Sequence, residues 1–142
     1  MSEAVIDSSI ALTWCFEDEA TPETDALFER VRDEGAVVPG LWRLEVGNVL
    51  LQAEKRGRIS AHGVAARLDL IAELPISVDH ETTARAWREI LAAARGERLT
   101  VYDAAYLELA ERLRLPLMTL DGDLAAAAVR RGVIVLPAPK IP

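Results

Sequence analysis

The chain predicts an α/β fold, one domain built on a parallel sheet covered by helices, and three features point to it. Short apolar runs recur along the whole length, stretches with helical spacing fill the intervals, and the breaks between them are turn-sized. A length of 142 residues with 51% apolar and 27% charged side chains matches a single globular domain. The expected unit is residues 1–142, with a core at about 3–136 and a short Pro-rich tail that lies on the surface.

The first strand is Ala4-Val5-Ile6, ended by Asp7. Four more follow the same rule of a short apolar run next to a breaker: Ala36-Val37-Val38 before Pro39, Ile76-Ser77-Val78 after Pro75, Leu117-Met118-Thr119 after Pro116, and Val133-Ile134-Val135 after Gly132. Between them apolar residues return every three or four positions, at Ala26, Leu27 and Val31; at Leu41, Leu44, Val49 and Ala53; at Leu68, Ile71 and Ala72; at Trp87, Ile90, Leu91 and Ala94; and at Leu107, Ala110 and Leu113. A last helix covers Asp121 to Arg131 and stops at Gly132, a favoured residue just past a helix end. Gly35, Arg56-Gly57-Arg58, Gly63 and Arg95-Gly96-Glu97 read as turns.

Composition removes several classes of function. With 23 acidic and 16 basic side chains the net charge is -7, the wrong sign for a protein that holds nucleic acid by broad phosphate neutralisation. A nuclease remains open, because a metal site concentrates carboxylates. One cysteine, Cys15, cannot form an internal disulfide, and His62 and His80 are too few for a structural zinc site. The amino-terminal stretch carries acids where a secretory signal is basic, and no segment has the ~18 continuous apolar residues of a membrane span, so a cytoplasmic protein with no membrane partner is expected.

Ligands of an open parallel sheet bind beyond the carboxyl ends of its strands, which makes the polar residues after each apolar run the first candidates. Asp7 opens Asp7-Ser8-Ser9 after the first strand, and Asp121 lies in a Thr-x-Asp-x-Asp segment after the fourth. Both project from the same rim. Glu45 stands early in the helix after the second strand, between Leu44 and Val46 and on the face of Asn48, while Asp103 begins the helix that leads into the fourth strand. Singly, three of these acids have a plain structural explanation: Thr100-x-x-Asp103 matches a capping box, Asp121 an N-cap, and Asp7 a cap for a helix starting at Ser8 or Ser9. Glu45 fits that explanation less well, since an acid among apolar neighbours needs a partner or an ion if it is buried. Together the four would repel, raise one another's pKa and oppose folding. A divalent cation removes that penalty, and oxygen ligands without His or Cys suit Mg²⁺ or Mn²⁺. Such ions polarise phosphoryl oxygens and activate water, so phosphodiester hydrolysis is the chemistry this pattern fits.

Four segments, Val5-Ile6-Asp7-Ser8-Ser9, Trp42-Arg43-Leu44-Glu45-Val46-Gly47-Asn48-Val49-Leu50, Tyr102-Asp103-Ala104-Ala105-Tyr106-Leu107-Glu108-Leu109-Ala110 and Thr119-Leu120-Asp121-Gly122-Asp123-Leu124, resemble those of PIN-domain ribonucleases. The resemblance is closest to the VapC toxins of toxin-antitoxin modules and runs over residues 3–136 with the motifs in family order. It implies a five-stranded parallel sheet with helices on both faces and Mg²⁺- or Mn²⁺-dependent endonuclease activity on RNA, with a tRNA or rRNA loop as candidate substrate. It further implies a homodimer and inhibition by a cognate VapB-type antitoxin, whose basic or apolar segment would cross the acidic groove. By position it makes Asp7, Glu45, Asp103 and Asp121 the catalytic quartet, with Asp7, Asp103 and Asp121 as metal ligands and Glu45 binding through water or orienting the attacking water. Ser9, Asn48 and Thr119 take supporting roles. Two departures stand out: Gly40 lies where many relatives carry an acid, and Asp123 adds a carboxylate that either shares the role of Asp121 or is a helix-start acid.

Fourteen of the 16 basic residues are arginine; Arg43, Arg95, Arg98, Arg130 and Arg131 flank the candidate segments and could grip phosphate, or simply solvate helix faces. Trp14, Phe16 and Trp42 read as core aromatics, with an interface as the alternative, and Cys15 as a small core residue. An aspartate-based phosphohydrolase is the rival enzyme class, weakened because the only lysines, Lys55 and Lys140, lie in a mid-chain helix and in the tail. A non-catalytic interaction module, its acids serving as caps, is the second rival.

Overall fold

The structure, a computed structural model, describes residues 3–139; the end of the expected surface tail, 140–142, and residues 1–2 lie outside the described residues. Runs of small and β-branched residues form β1 (Ala4–Ile6), β2 (Ala36–Val38), β3 (Ile76–Val78), β4 (Leu117–Met118) and β5 (Val135–Leu136). They make one sheet in the order β3-β2-β1-β4-β5, parallel throughout. Every residue of β1, β2 and β4 is buried, as a parallel sheet covered on its faces requires. Strand order reverses direction between β1 and β4, so the crevice for a ligand opens beyond their carboxyl ends. There Ile6 pairs with Met118, and the Asp7 amide donates to the Met118 carbonyl at 3.1 Å.

The helices are α1 (Ser8–Cys15), α2 (Pro22–Glu34), α3 (Leu41–Lys55), α4 (Ala61–Ala72), α5 (Thr82–Arg85), α6 (Leu91–Glu97), α7 (Val101–Leu113) and α8 (Gly122–Arg130), with a 3₁₀ turn at Glu17–Glu19 and a π-helical turn at Ala86–Ile90 joining α5 to α6. Local chemistry sets their starts. Thr21 and Thr24 exchange a capping box before Pro22, and Ser60, Thr100 and Asp121 each accept a backbone N–H with the side chain. Away from the crevice two ion-pair clips lock the helices. Arg112 of α7 reaches Asp79, at the end of β3, at 2.7 Å and Glu108 at 3.0 Å. Glu97 receives both Arg130 of α8 and Arg131 just past it, and Arg131 also meets Glu111 at 3.0 Å.

Several sequence expectations need correction. Gly63 is not a turn but the third residue of α4, its amide donating to Ser60 Oγ at 3.0 Å, and a Cβ there would stand 2.7 Å from Ile59. Helix α6 continues through Gly96 and ends at Arg98. The buried stripe of α3 is Trp42, Val46, Leu50 and Ala53, leaving Leu44 exposed. Trp87, expected on a buried face, is 90% exposed while Ile90 is buried, because the π turn shifts the phase of the helix. The last strand begins at Val135 rather than Val133: Gly132, at φ +76°, turns the chain off α8 while the Val133 amide still caps it through the Ala128 carbonyl, so ladder bonding starts only at the Ile134 carbonyl. Trp42, Phe16 and Cys15 are buried as expected.

Candidate active site

The four predicted acids come from four different segments and converge on the crevice between β1 and β4. Asp7 is buried directly after β1 and has both carboxylate oxygens engaged. Ser9 Oγ donates to Oδ1 at 2.6 Å, the Ile10 amide donates to the same oxygen at 3.3 Å, and Thr119 Oγ1 donates to Oδ2 at 2.5 Å. Asp7 is therefore both the N-cap of α1 and a member of the cluster, so the two readings of the sequence do not compete. Asp121 behaves likewise, capping α8 through Oδ1 and the Leu124 amide at 2.9 Å. Asp103 is in the first turn of α7, where its amide donates to Thr100 Oγ1 at 3.1 Å. Glu45 lies half-buried one turn into α3, and the Tyr106 hydroxyl donates a hydrogen bond to its Oε1.

The charges of these groups act on one another. Burial pushes Asp7 up against the pull of its Ser9 and Thr119 hydrogen bonds. Burial also raises Asp103, and the charges of Asp121 and Asp7 raise it further, with Asp123 adding to them. Glu45 is raised by burial and by Asp103 and Asp7, opposed by the hydrogen bond from Tyr106. Tyr106 itself is driven up by burial and by Glu45, so its proton stays on the phenol. Asp103 is the hub, feeling three other carboxylates. Among the described residues no ion pair joins any of the four to a basic side chain. No three His, Cys, Asp or Glu side chains among them form a ready-made metal cage. The donor set still fits a hard cation: it is carboxylate oxygen only, mutually repelling and uncompensated by protein charge.

A sequence model of the PIN domain matches residues 4–130. The chain belongs to the PIN domain family. This PIN domain is 33% identical over 126 residues to Ribonuclease VapC12 of Mycobacterium tuberculosis, covering 85% of this chain and 88% of that one. In fold it is similar to a crystal structure of a Pyrobaculum aerophilum protein, with a TM-score of 0.70 at 23% identity, covering 95% of this chain and 90% of that chain. A toxin-antitoxin complex from Klebsiella pneumoniae aligns at a TM-score of 0.62 and 18% identity, over 98% and 100% of the two chains. Mycobacterium tuberculosis VapC20, a sarcin-ricin loop cleaving toxin, aligns at 0.63 and 15%, over 88% and 95%.

Around the quartet of this PIN domain, Ser9 and Thr119 stand where expected, one on each oxygen of Asp7. Asn48 does not: it is exposed, and among the described residues no hydrogen bond ties it to Glu45. Tyr106, which holds Glu45, has no role in the sequence reading, although its three-residue spacing from Asp103 placed both on one face of α7. Asp123 is exposed in the first turn of α8 and acts on Asp103 through its charge. Of the flanking arginines, Arg130 and Arg131 are spent on Glu97 and Glu111, and Arg43 lines a separate hollow with Trp42, Leu68 and Ile71. Arg95 and Arg98 remain exposed beside α7. No helix among the described residues is long and apolar enough to cross a membrane.

Proposed function

We propose that the chain is a divalent-metal-dependent endoribonuclease of the VapC kind, hydrolysing RNA phosphodiester bonds in the cytoplasm as the toxin of a toxin-antitoxin pair. The observation that carries this reading is the convergence of Asp7, Glu45, Asp103 and Asp121, uncompensated by any basic partner, at the β1–β4 crevice of a PIN domain related to a named ribonuclease. Asp7, Asp103 and Asp121 would hold Mg²⁺ or Mn²⁺. When bound, such an ion polarises a phosphoryl oxygen and lowers the pKa of water. The protein's own part is positional and acid-base. Ser9 and Thr119 fix the plane of the Asp7 carboxylate. Tyr106 occupies Oε1 of Glu45 and leaves Oε2 to orient the attacking water and accept its proton, a task suited to a carboxylate whose pKa is raised. Nucleophilic attack by Asp7, as in an aspartate-based phosphohydrolase, is disfavoured because both its oxygens are buried and hydrogen-bonded.

Incubation with total RNA and Mn²⁺, with and without chelator, tests the reading. The expected result is cleavage that chelator stops, with little action on duplex DNA, because a shallow site needs a bendable strand. Cleavage unaffected by chelator would exclude metal-assisted hydrolysis. The antitoxin segment fits the hollow of about 610 Å³ between α1, α2 and α4, where Trp14 and Phe28 pack edge to face and Glu17, Asp25 and Glu29 line the walls. Arg32 and Arg67 line it as well, so its walls carry both signs of charge and its apolar floor is what an apolar segment would cover. A homodimer is expected from the resemblance to VapC toxins. If expression of the chain arrests growth, co-expression of an antitoxin encoded beside its gene should restore growth, and sedimentation should return twice the chain mass.

A further inference from the structure

Beside the carboxylate cluster lies a second concavity that the mechanism does not use. A hollow of about 430 Å³ opens between α8, the β4–α8 turn and the chain that follows β5. Leu120, Ala126, Val129, Val135, Pro137 and Pro139 make its apolar walls, and Thr119 and Asp121 form its polar inner end. We infer that this hollow is a nucleobase subsite, taking an unstacked base of the RNA strand next to the scissile phosphate; the inference rests on the ribonuclease reading above.

Three observations carry it. The hollow is continuous with the candidate centre, since Asp121 belongs to both and Thr119 Oγ1, at the inner end, donates to Asp7 at 2.5 Å. Its lip is held in register with that centre: the Leu120 amide donates to Ser9 Oγ at 2.9 Å and the Asp121 amide to Thr119 Oγ1 at 3.0 Å, while Ser9 Oγ donates to Asp7. A ligand seated in the hollow is thereby placed relative to the carboxylates. The lining also selects the part of the nucleotide. Among the described residues no lysine or arginine lines it, and its apolar walls suit the face of a base. Leu120 is 50% and Val129 55% exposed, apolar surface that a base would cover. With Asp121 and Thr119 as the only polar side chains among its described lining residues, the subsite accepts a base by its face rather than choosing one by its edge.

The test fills the hollow and deletes the base in turn. Ala126→Trp and Val129→Trp both replace exposed residues of α8, so neither removes core packing, and Ala92→Trp on the exposed face of α6 is the control. On an oligoribonucleotide that the parent cleaves with Mn²⁺, the two α8 variants should raise KM about tenfold, the factor that about 1.4 kcal/mol of lost base contact gives, and the control should not. An abasic scan of the same RNA should find one position next to the cleaved bond whose loss costs the parent about the same factor and costs Ala126→Trp nothing further. Unchanged KM in both α8 variants, or penalties that simply multiply at every abasic position, would overturn the subsite while leaving the nuclease intact. A change of sedimentation with unchanged KM would assign the hollow to a second copy of the chain instead. Parent protein that leaves all RNA uncut would overturn the nuclease reading itself, and the subsite with it.

Discussion

Asp7 carries two duties that a substitution can separate. It caps α1 through Oδ1 and holds Thr119 through Oδ2, and it is also a buried charge that burial alone pushes toward protonation. Asp7→Asn keeps the acceptor at Oδ1 and removes the buried charge, and the Thr119 hydroxyl must turn to accept from the new amide rather than donate, so relief of the buried charge offsets that change and the metal-free variant should be no less stable than the parent. Asp7→Ala removes the cap and should cost about 1 kcal/mol, together with the partners of two hydroxyls. Both should abolish cleavage. Denaturant melts of the two apo variants check this, and an Asn variant as damaged as the Ala variant would make Asp7 a structural cap only. Tyr106→Phe asks the same of Glu45. The ring stays in the core but Oε1 loses its donor, so kcat should fall about tenfold or more through lost orientation with KM little changed. An unchanged kcat would remove Glu45 from the acid-base role.

The clip from α7 to the end of β3 adds to the buried apolar face of α7 in tying the Asp103 helix to the sheet. Asp79 is held below the usual aspartate range, first by hydrogen bonds from Arg112 and also by Thr82, and both partners of the Arg112–Asp79 pair are largely buried. A depressed folded pKa stabilises the fold fully above the unfolded value of 3.8, and the contribution is lost as pH falls through the folded value. Asp79→Asn should therefore cost about 1–3 kcal/mol at neutral pH, and the two chains should converge in acid; a gap that persists there would show that packing rather than charge is lost. This clip was invisible in the sequence because Asp79 and Arg112 are 33 residues apart and unmarked by any motif. β1 to β3 were legible to the residue, and β4 to within one, because proline, glycine or Asp7 punctuates each apolar run. β5 was displaced by the turn at Gly132, and Trp87 was put on the wrong face because periodicity assumes 3.6 residues per turn through a π turn. The four acids were readable from the strand-end rule and the motifs. The pairing of Ser9 and Thr119 with separate oxygens of Asp7, and of Tyr106 with Glu45, was not, since contacts across 112 and 61 residues leave no local signal.

At the scale of the whole molecule, the like charges at the crevice work against folding in a chain that already carries a net charge of -7. The metal-free chain should be less stable than its core alone would make it, and an ion that binds only the assembled quartet should return that stability by mass action. At roughly a hundred times the dissociation constant, Mn²⁺ should add about 2.7 kcal/mol. For a domain of this size, at ~2–4 °C per kcal/mol, the melting temperature should rise by about 5–10 °C. Asp103→Asn removes the hub on which Asp121, Asp7 and Asp123 act, so it should melt no lower than the parent without metal and show little of the rise. Raising ionic strength with a monovalent salt should lift the apo parent slightly, because screening acts weakly on partly buried charges. Mn²⁺ should lift it far more. A full Mn²⁺ shift in Asp103→Asn would place the ion elsewhere on the acidic surface and separate the stability of this fold from the chemistry assigned to its crevice.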